Sequence, residues 1–168
     1  VVDYPLIQEF NEPIGWYPML SAQEFLSRKG NLPVFSLVQC TTDVLYGDLL
    51  DALKQCTGCV LVLQSKNQAV MPDLRRAMFE LVNQGVEIPV VVKLEYDQTD
   101  EESFRLHAAT DLGGLLIDGL GDGVWIATGE TFAVSTESIN RIVFGILQAA
   151  RTRISKTEYI ACPSCGRT

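Results

Sequence analysis

The chain is short of positive charge, of histidine and of long apolar runs, and each shortage removes a class of function. Its 13 Lys and Arg stand against 21 Asp and Glu, and the net charge of -8 repels nucleic acid and anionic membranes. Any phosphate recognised here therefore depends on local amides or arginines. The single histidine, His107, falls on a polar-to-apolar helix boundary without an identifiable partner and reads as a surface or satisfied core residue. No run of about 18 apolar residues is present to span a bilayer. The start, Val1-Val2-Asp3-Tyr4-Pro5, has neither the basic nor the apolar region of a signal peptide. It does not begin with methionine either, and the expectation is a piece of a longer polypeptide. The first clear strand is not followed by Gly-x-Gly-x-x-Gly, and no Walker lysine motif occurs, which argues against a doubly wound nucleotide fold.

What is present suits one core. The 168 residues are 47% hydrophobic, the size and composition of a single domain. The cysteines number five, an odd count, and Cys40, Cys56 and Cys59 lie in or beside apolar segments, where free thiols behave as small hydrophobes. A reducing compartment fits better than a disulfide framework.

The first thirty residues are punctuated by Pro5, Pro13, Gly15 and Pro18 and carry Tyr4, Phe10, Trp16 and Tyr17. They read as an irregular lead-in with a short helix at Ser21–Arg28, where Ser21 and Glu24 form a capping box. Beyond it, strands are expected at Pro33–Val38, Val60–Leu63 and Pro89–Leu94, the last continuous rather than alternating, as when helices cover both faces. Helices are expected at Thr42–Gln55, Met71–Gln84, Glu101–Asp111 and Ser138–Arg151. Two more strands, Gly114–Asp118 and Gly123–Ala127, are read on either side of a glycine-rich turn, and a short one at Glu158–Ala161. Strand and helix alternate at roughly thirty residues, the length of a βαβ unit. The expected class is α/β, a parallel (β/α)-repeat that is TIM-barrel-like or a partial barrel. Arg151 to Thr157 is basic and polar and reads as a solvated linker between domains.

The sharpest chemical motif is Cys162-Pro163-Ser164-Cys165-Gly166. Two thiolates separated by two residues can reach one metal, Pro163 presets the backbone, and Gly166 accepts the conformations of a knuckle. Zinc ribbons and iron-sulfur clusters both use this pattern, and the motif alone does not choose between them. Cys56-Thr57-Gly58-Cys59 could complete a four-cysteine zinc site, although Cys56 and Cys59 read better as packed core thiols. Asp118-Gly119-Leu120-Gly121-Asp122-Gly123 is expected at the carboxyl end of a strand, where barrels place their working loops. Its glycines would let amides approach an anion, but Asp118 and Asp122 oppose one, and a structural turn is the favoured reading. Trp16, Tyr17 and Trp125 are scattered and carry little weight as an interface.

The segment from Lys156 through Cys162-Pro163-Ser164-Cys165-Gly166-Arg167-Thr168 resembles the start of the iron-sulfur domain of the 4-hydroxy-3-methylbut-2-enyl diphosphate synthase family. Leu115 to Gly123 and the helix through Arg141 to Gln148 resemble the same family. The resemblance implies the three-domain form, in which an extra domain lies between the catalytic barrel and the cluster domain. Residues 1–155 would be that inserted, barrel-like domain, and residues 156–168 the beginning of the cluster domain. In the family a 4Fe-4S cluster is held by three cysteines and a glutamate, and Cys162 and Cys165 match the first two. The rest of that set has no counterpart here.

For the parent enzyme the resemblance implies an oxidoreductase of the methylerythritol phosphate route to isoprenoids. It would open 2-C-methyl-D-erythritol 2,4-cyclodiphosphate reductively, with electrons from ferredoxin or flavodoxin. The partners implied are the remaining domains of that enzyme and the electron donor, with no nucleic acid and no membrane. The implied compartment is bacterial cytoplasm, or a plastid for a plant parent. The piece itself is expected to be inactive and to act as a scaffold, because Val1 to Thr157 shows no cluster of titratable groups with a shared site. Two competing readings remain. One is a zinc-binding interaction module built on the Cys-Pro-x-Cys-Gly knuckle. The other is a free-standing sugar-phosphate barrel enzyme binding an anion at Gly119 to Gly123.

Overall fold

The computed structural model describes residues 2–3, 17–28, 35–97, 100–129, 132–154 and 156–157. Six strands, β1 (Val2–Asp3), β2 (Pro18–Ser21), β3 (Ser36–Thr41), β4 (Cys59–Gln64), β5 (Val90–Tyr96) and β6 (Gly123–Thr128), form one sheet in that spatial order. Every neighbouring pair is parallel. The helices are α1 (Ala22–Ser27), α2 (Asp48–Lys54), α3 (Val70–Asn83), α4 (Glu101–Ile117) and α5 (Thr136–Ala149). Where spatial order equals chain order, every crossover steps the same way, and the right-handed rule then places all the helices on one face. A doubly wound sheet reverses direction partway. This one does not, and it is a partial (β/α) barrel, as expected.

Local chemistry accounts for the helix starts. The Ser21 hydroxyl accepts from the Glu24 amide at 3.3 Å while the Ser21 amide donates to the Glu24 carboxylate at 2.8 Å, the expected capping box. Asp100 and Ser135 cap α4 and α5 by accepting from the amides of Ser103 and Ser138.

The core lies between sheet and helices. Val38, Leu61, Leu63, Val92 and Leu94 meet Leu53 of α2, Leu74 and Ala77 of α3, Phe104 and Leu112 of α4, and Ile142 of α5. Burial alternates along β3 and β5, with Ser36, Val38 and Cys40, and Val90, Val92, Leu94 and Tyr96, all inward. This corrects the expectation that both faces of the third expected strand are helix-covered. Helices cover one face, and Val91 belongs to the concave face, where barrels also place apolar residues. An uninterrupted apolar run does not distinguish the two environments.

Two further expectations fail. Thr42–Gln55 is not one helix: a single 3-10 turn at Thr42–Val44 is followed by Gly47 with φ 57°, and only then by α2. That left-handed glycine ends one element and begins the next. The expected strand at Gly114–Asp118 is the last part of α4 and the turn after it. Leu112, Leu115 and Leu116 follow the helical period onto its buried face, and the bare backbone of Gly114 faces Met71 of α3.

Candidate functional site

Strand register arranges the concave face in rows. Met19, Leu37 and Val60 form an apolar row toward the amino ends of the strands. Ser21, Gln39, Val62, Val91 and Gly123 form the next, and Thr41, Gln64, Lys93 and Trp125 the one after, followed by Glu95 beside Ala127. Val62 is 0% exposed yet stands outside the helix-side core, so the concave face has a covered centre of its own. Polarity rises toward the carboxyl ends. There Lys93, its side chain 12% exposed, pairs with Glu95 at 2.9 Å and lies 5.6 Å from the centre of the Trp125 ring. The Lys93 ammonium bonded to Glu95 holds that carboxyl below its usual range against the opposing effect of partial burial, with a smaller contribution from Gln64. Lys-x-Glu in a strand places both side chains on one face, a spacing visible in the sequence that sequence reasoning passed over.

A second polar group ties the carboxyl ends of β3 and β4 to α3. The Asp73 carboxylate accepts from the Thr42 hydroxyl at 2.5 Å and the Ser65 hydroxyl at 2.6 Å, and pairs with Arg76 at 3.0 Å. Burial raises its pKa, but the hydrogen bonds from Ser65, Thr42 and Arg76 outweigh it and the net shift is downward. Arg76 also donates to the Tyr46 hydroxyl and lies over that ring. With its acceptor oxygens occupied, this group is a structural tie between loops. Neither polar group has the nucleophile, base and orienting partner of a catalytic constellation.

The residues singled out from sequence fall in different places. Cys162, Cys165 and the expected strand Glu158–Ala161 lie outside the described residues, as do Tyr4, Phe10 and Trp16. Arg151 to Ile154, Lys156 and Thr157 are exposed, and the Lys156 backbone is gripped by the Gln148 side chain through bonds of 2.9 and 3.1 Å. Cys40 and Cys59 are buried and Cys56 is half-buried, all three as free thiols. Burial, with Asp43 nearby, pushes the Cys40 thiol up to about 12. Among the described residues no group of three or more His, Cys, Asp or Glu is placed to hold a metal, and they supply no ligand set for a cluster. The zinc-module reading finds no support. His107 is exposed on α4, and among the described residues no helix is long and apolar enough to cross a membrane.

The glycine-rich turn is at the opposite end from the one expected. It links the end of α4 to the start of β6, so it lies at the amino ends of the strands, away from the working face of a barrel. Three of its amides are engaged: Gly119 donates to Leu116, Leu120 to Leu115, and Asp122 to Val90. Gly119 and Gly121 have φ of 74° and 90°. The turn is structural: its position and its three bonded amides count against the anion site required by a free-standing sugar-phosphate enzyme.

Compared with known proteins, the chain is 39% identical over 152 residues to the 4-hydroxy-3-methylbut-2-en-1-yl diphosphate synthase (flavodoxin) of Parabacteroides distasonis, covering 90% of this chain and 24% of that protein. It is 38% identical over 126 residues to the protein of the same name from Porphyromonas gingivalis, covering 75% of this chain and 21% of that one. A third, from Leptospira interrogans, is 32% identical over 149 residues, 86% of this chain and 21% of that protein. The chain thus spans 24% or less of the length of these curated relatives. No family model and no solved structure matches it.

Proposed function

We propose that this chain, a homologue of one segment of the 4-hydroxy-3-methylbut-2-en-1-yl diphosphate synthases, is the inserted domain of such an enzyme with the first residues of its iron-sulfur domain. The observation that carries this reading is the 39% identity along 90% of the chain, matched against only 24% of the synthase. A segment so related takes part in the parent's reaction, the reductive opening of a cyclic diphosphate with electrons from flavodoxin, without containing the whole of its machinery. Residues 1–155 are assigned to the inserted domain and 156–168 to the beginning of the cluster domain.

The role assigned to the inserted domain is that of a scaffold. A parallel (β/α) array with a continuous core is stiff, and its described polar groups are paired among themselves across loops and strands rather than aimed at a common point. Such a body can set the distance between the parent's catalytic barrel and its cluster domain, both soluble parts of one cytoplasmic polypeptide. Cys162 and Cys165 are proposed as two of the cluster ligands. Two thiolates in a Cys-Pro-Ser-Cys-Gly turn would each hold a different iron of a 4Fe-4S cluster, which would supply electron transfer when bound. The other ligands belong to the remainder of the parent.

The test uses the parent polypeptide and the excised chain together. Replacing Cys162 or Cys165 by Ala in the parent is expected to abolish cluster absorbance and turnover. Replacing residues 1–155 by a flexible linker is expected to abolish turnover while the cluster still assembles. The excised chain is expected to show no binding of the cyclic diphosphate by calorimetry. Binding at micromolar concentration, or full turnover with the linker in place, refutes the scaffold role.

A further inference from the structure

Cys56 and Cys59 take no part in the function proposed above, yet they form a built pair. Cys56 follows the last turn of α2, its amide donating to the Leu53 carbonyl at 3.1 Å, and Cys59 opens β4. Between them, the Gly58 carbonyl accepts from the Ser36 amide at 3.0 Å, so the turn that carries both thiols is anchored to β3. The two cysteines sit three positions apart on this one turn, Cys59 within the core and Cys56 packed against it. Their access to solvent differs, since Cys56 is half-buried and Cys59 is 4% exposed. A third group completes the arrangement. Ser36 stands beside Cys59 in the strand register, and its buried hydroxyl has no partner among the described residues.

We propose that Cys56 and Cys59 are a modification site, a dithiol that a low-molecular-weight disulfide such as glutathione disulfide closes into an intramolecular disulfide. The accessible Cys56 thiolate attacks one sulfur of glutathione disulfide, and a mixed disulfide forms as one glutathione leaves. The Cys59 thiolate then attacks the Cys56 sulfur and expels the second glutathione. Two electrons pass from the protein dithiol to the oxidant, the two thiol protons end on the two released glutathiones, and one disulfide is exchanged for another.

The order of attack follows from access, because only Cys56 can be reached from solvent. Burial, reinforced by the neighbouring Cys56, pushes the Cys59 thiol well above its ordinary value. The second step therefore limits closure, and its rate rises with pH. The unpartnered Ser36 hydroxyl is a donor available to the Cys59 thiolate as it forms. Cys40, 5% exposed at the carboxyl end of β3, lies at the other end of the sheet and is not drawn into the exchange.

The experiment uses the full chain carrying Cys162→Ser and Cys165→Ser, so that the tail pair does not contribute. The folded protein is treated with glutathione disulfide at several pH values, quenched by alkylation and mapped by mass spectrometry. The expected result is loss of two alkylatable thiols, mapped to a Cys56–Cys59 disulfide, faster at higher pH and reversed by dithiothreitol. A further Cys59→Ser replacement is expected to accumulate one glutathione at Cys56. The proposal is overturned if both thiols stay alkylatable in the folded protein while the same chain closes the bond in urea. It is equally overturned if the Cys56 adduct, with Cys59 present, never converts to the Cys56–Cys59 disulfide at any of the pH values tested. Both of these outcomes are read on a chain with Cys56 and Cys59 intact, so a failure of Cys59→Ser to fold does not affect them.

Discussion

Asp122 and Val90 are joined twice: the Asp122 amide donates to the Val90 carbonyl at 2.7 Å, and the Asp122 carboxylate accepts from the Val90 amide at 2.8 Å. Val90 is the first residue of β5 and is 8% exposed, so its amide has little water to turn to. Asp122→Ala leaves that donor unpaired, at an expected cost of about 1–2 kcal/mol. Asp122→Asn keeps an acceptor oxygen and is expected to lose less. Urea denaturation of the two variants beside the parent sequence measures the difference, and equal stability of all three would remove the clasp as a source of stability.

The same turn separates two effects of glycine. Gly119 and Gly121 both have positive φ, but a Cβ at Gly119 meets nothing within 4 Å, whereas one at Gly121 would lie 3.2 Å from a Val92 methyl. Gly119→Ala therefore carries backbone strain alone, roughly 1 kcal/mol. Gly121→Ala carries that strain and crowding against a core strand, for a combined cost of about 2–3 kcal/mol. Thermal denaturation should rank Gly121→Ala clearly below Gly119→Ala, and the reverse order would mean that packing around Val92 is looser than the distance indicates.

Much of this architecture is legible in the sequence because its elements are strongly periodic. The stripe of Leu74, Ala77, Met78 and Leu81 identifies α3, and the Ser21/Glu24 box locates the start of α1. Misreading enters where one composition serves two structures. Gly113-Gly114-Leu115-Leu116-Ile117 resembles a buried strand by content but continues α4, with Gly114 facing Met71 of α3, so composition alone puts the glycine-rich turn at the wrong end of the sheet. The Asp73 tie joins residues up to 31 positions apart, and nothing local marks Thr42 or Ser65 as its partners. Lys93 and Glu95 are within reach of strand periodicity alone.

Acid sensitivity follows from that tie. The Asp73 carboxyl is held below its ordinary value in the fold, so it binds protons less readily folded than unfolded. Its contribution is complete above the unfolded carboxylate value, about 4, and is lost as pH falls through the lower folded value. Asp73→Asn should thus be less stable than the parent sequence at neutral pH, with the gap narrowing below about pH 4. Urea midpoints between neutral pH and pH 3 decide it, and a gap that stays constant through the acid range would show that the charge of Asp73 contributes nothing.

On the concave face the two members of one ion pair are unequal, because the Lys93 side chain is 12% exposed and that of Glu95 is 54% exposed. Removing a partner matters most for the charge left behind in the drier place. Glu95→Ala leaves the ammonium enclosed beside Trp125 without its carboxylate, and a loss of about 1–2 kcal/mol is expected. Lys93→Met leaves a carboxylate that water already solvates, and adds apolar contact with the Trp125 ring in place of the cation-π attraction, so its effect is expected within about 0.5 kcal/mol of zero. Chemical denaturation at low and at high salt tests this order. A Lys93→Met variant as unstable as Glu95→Ala would mean that the aromatic contact, rather than the ion pair, holds this row of the concave face together.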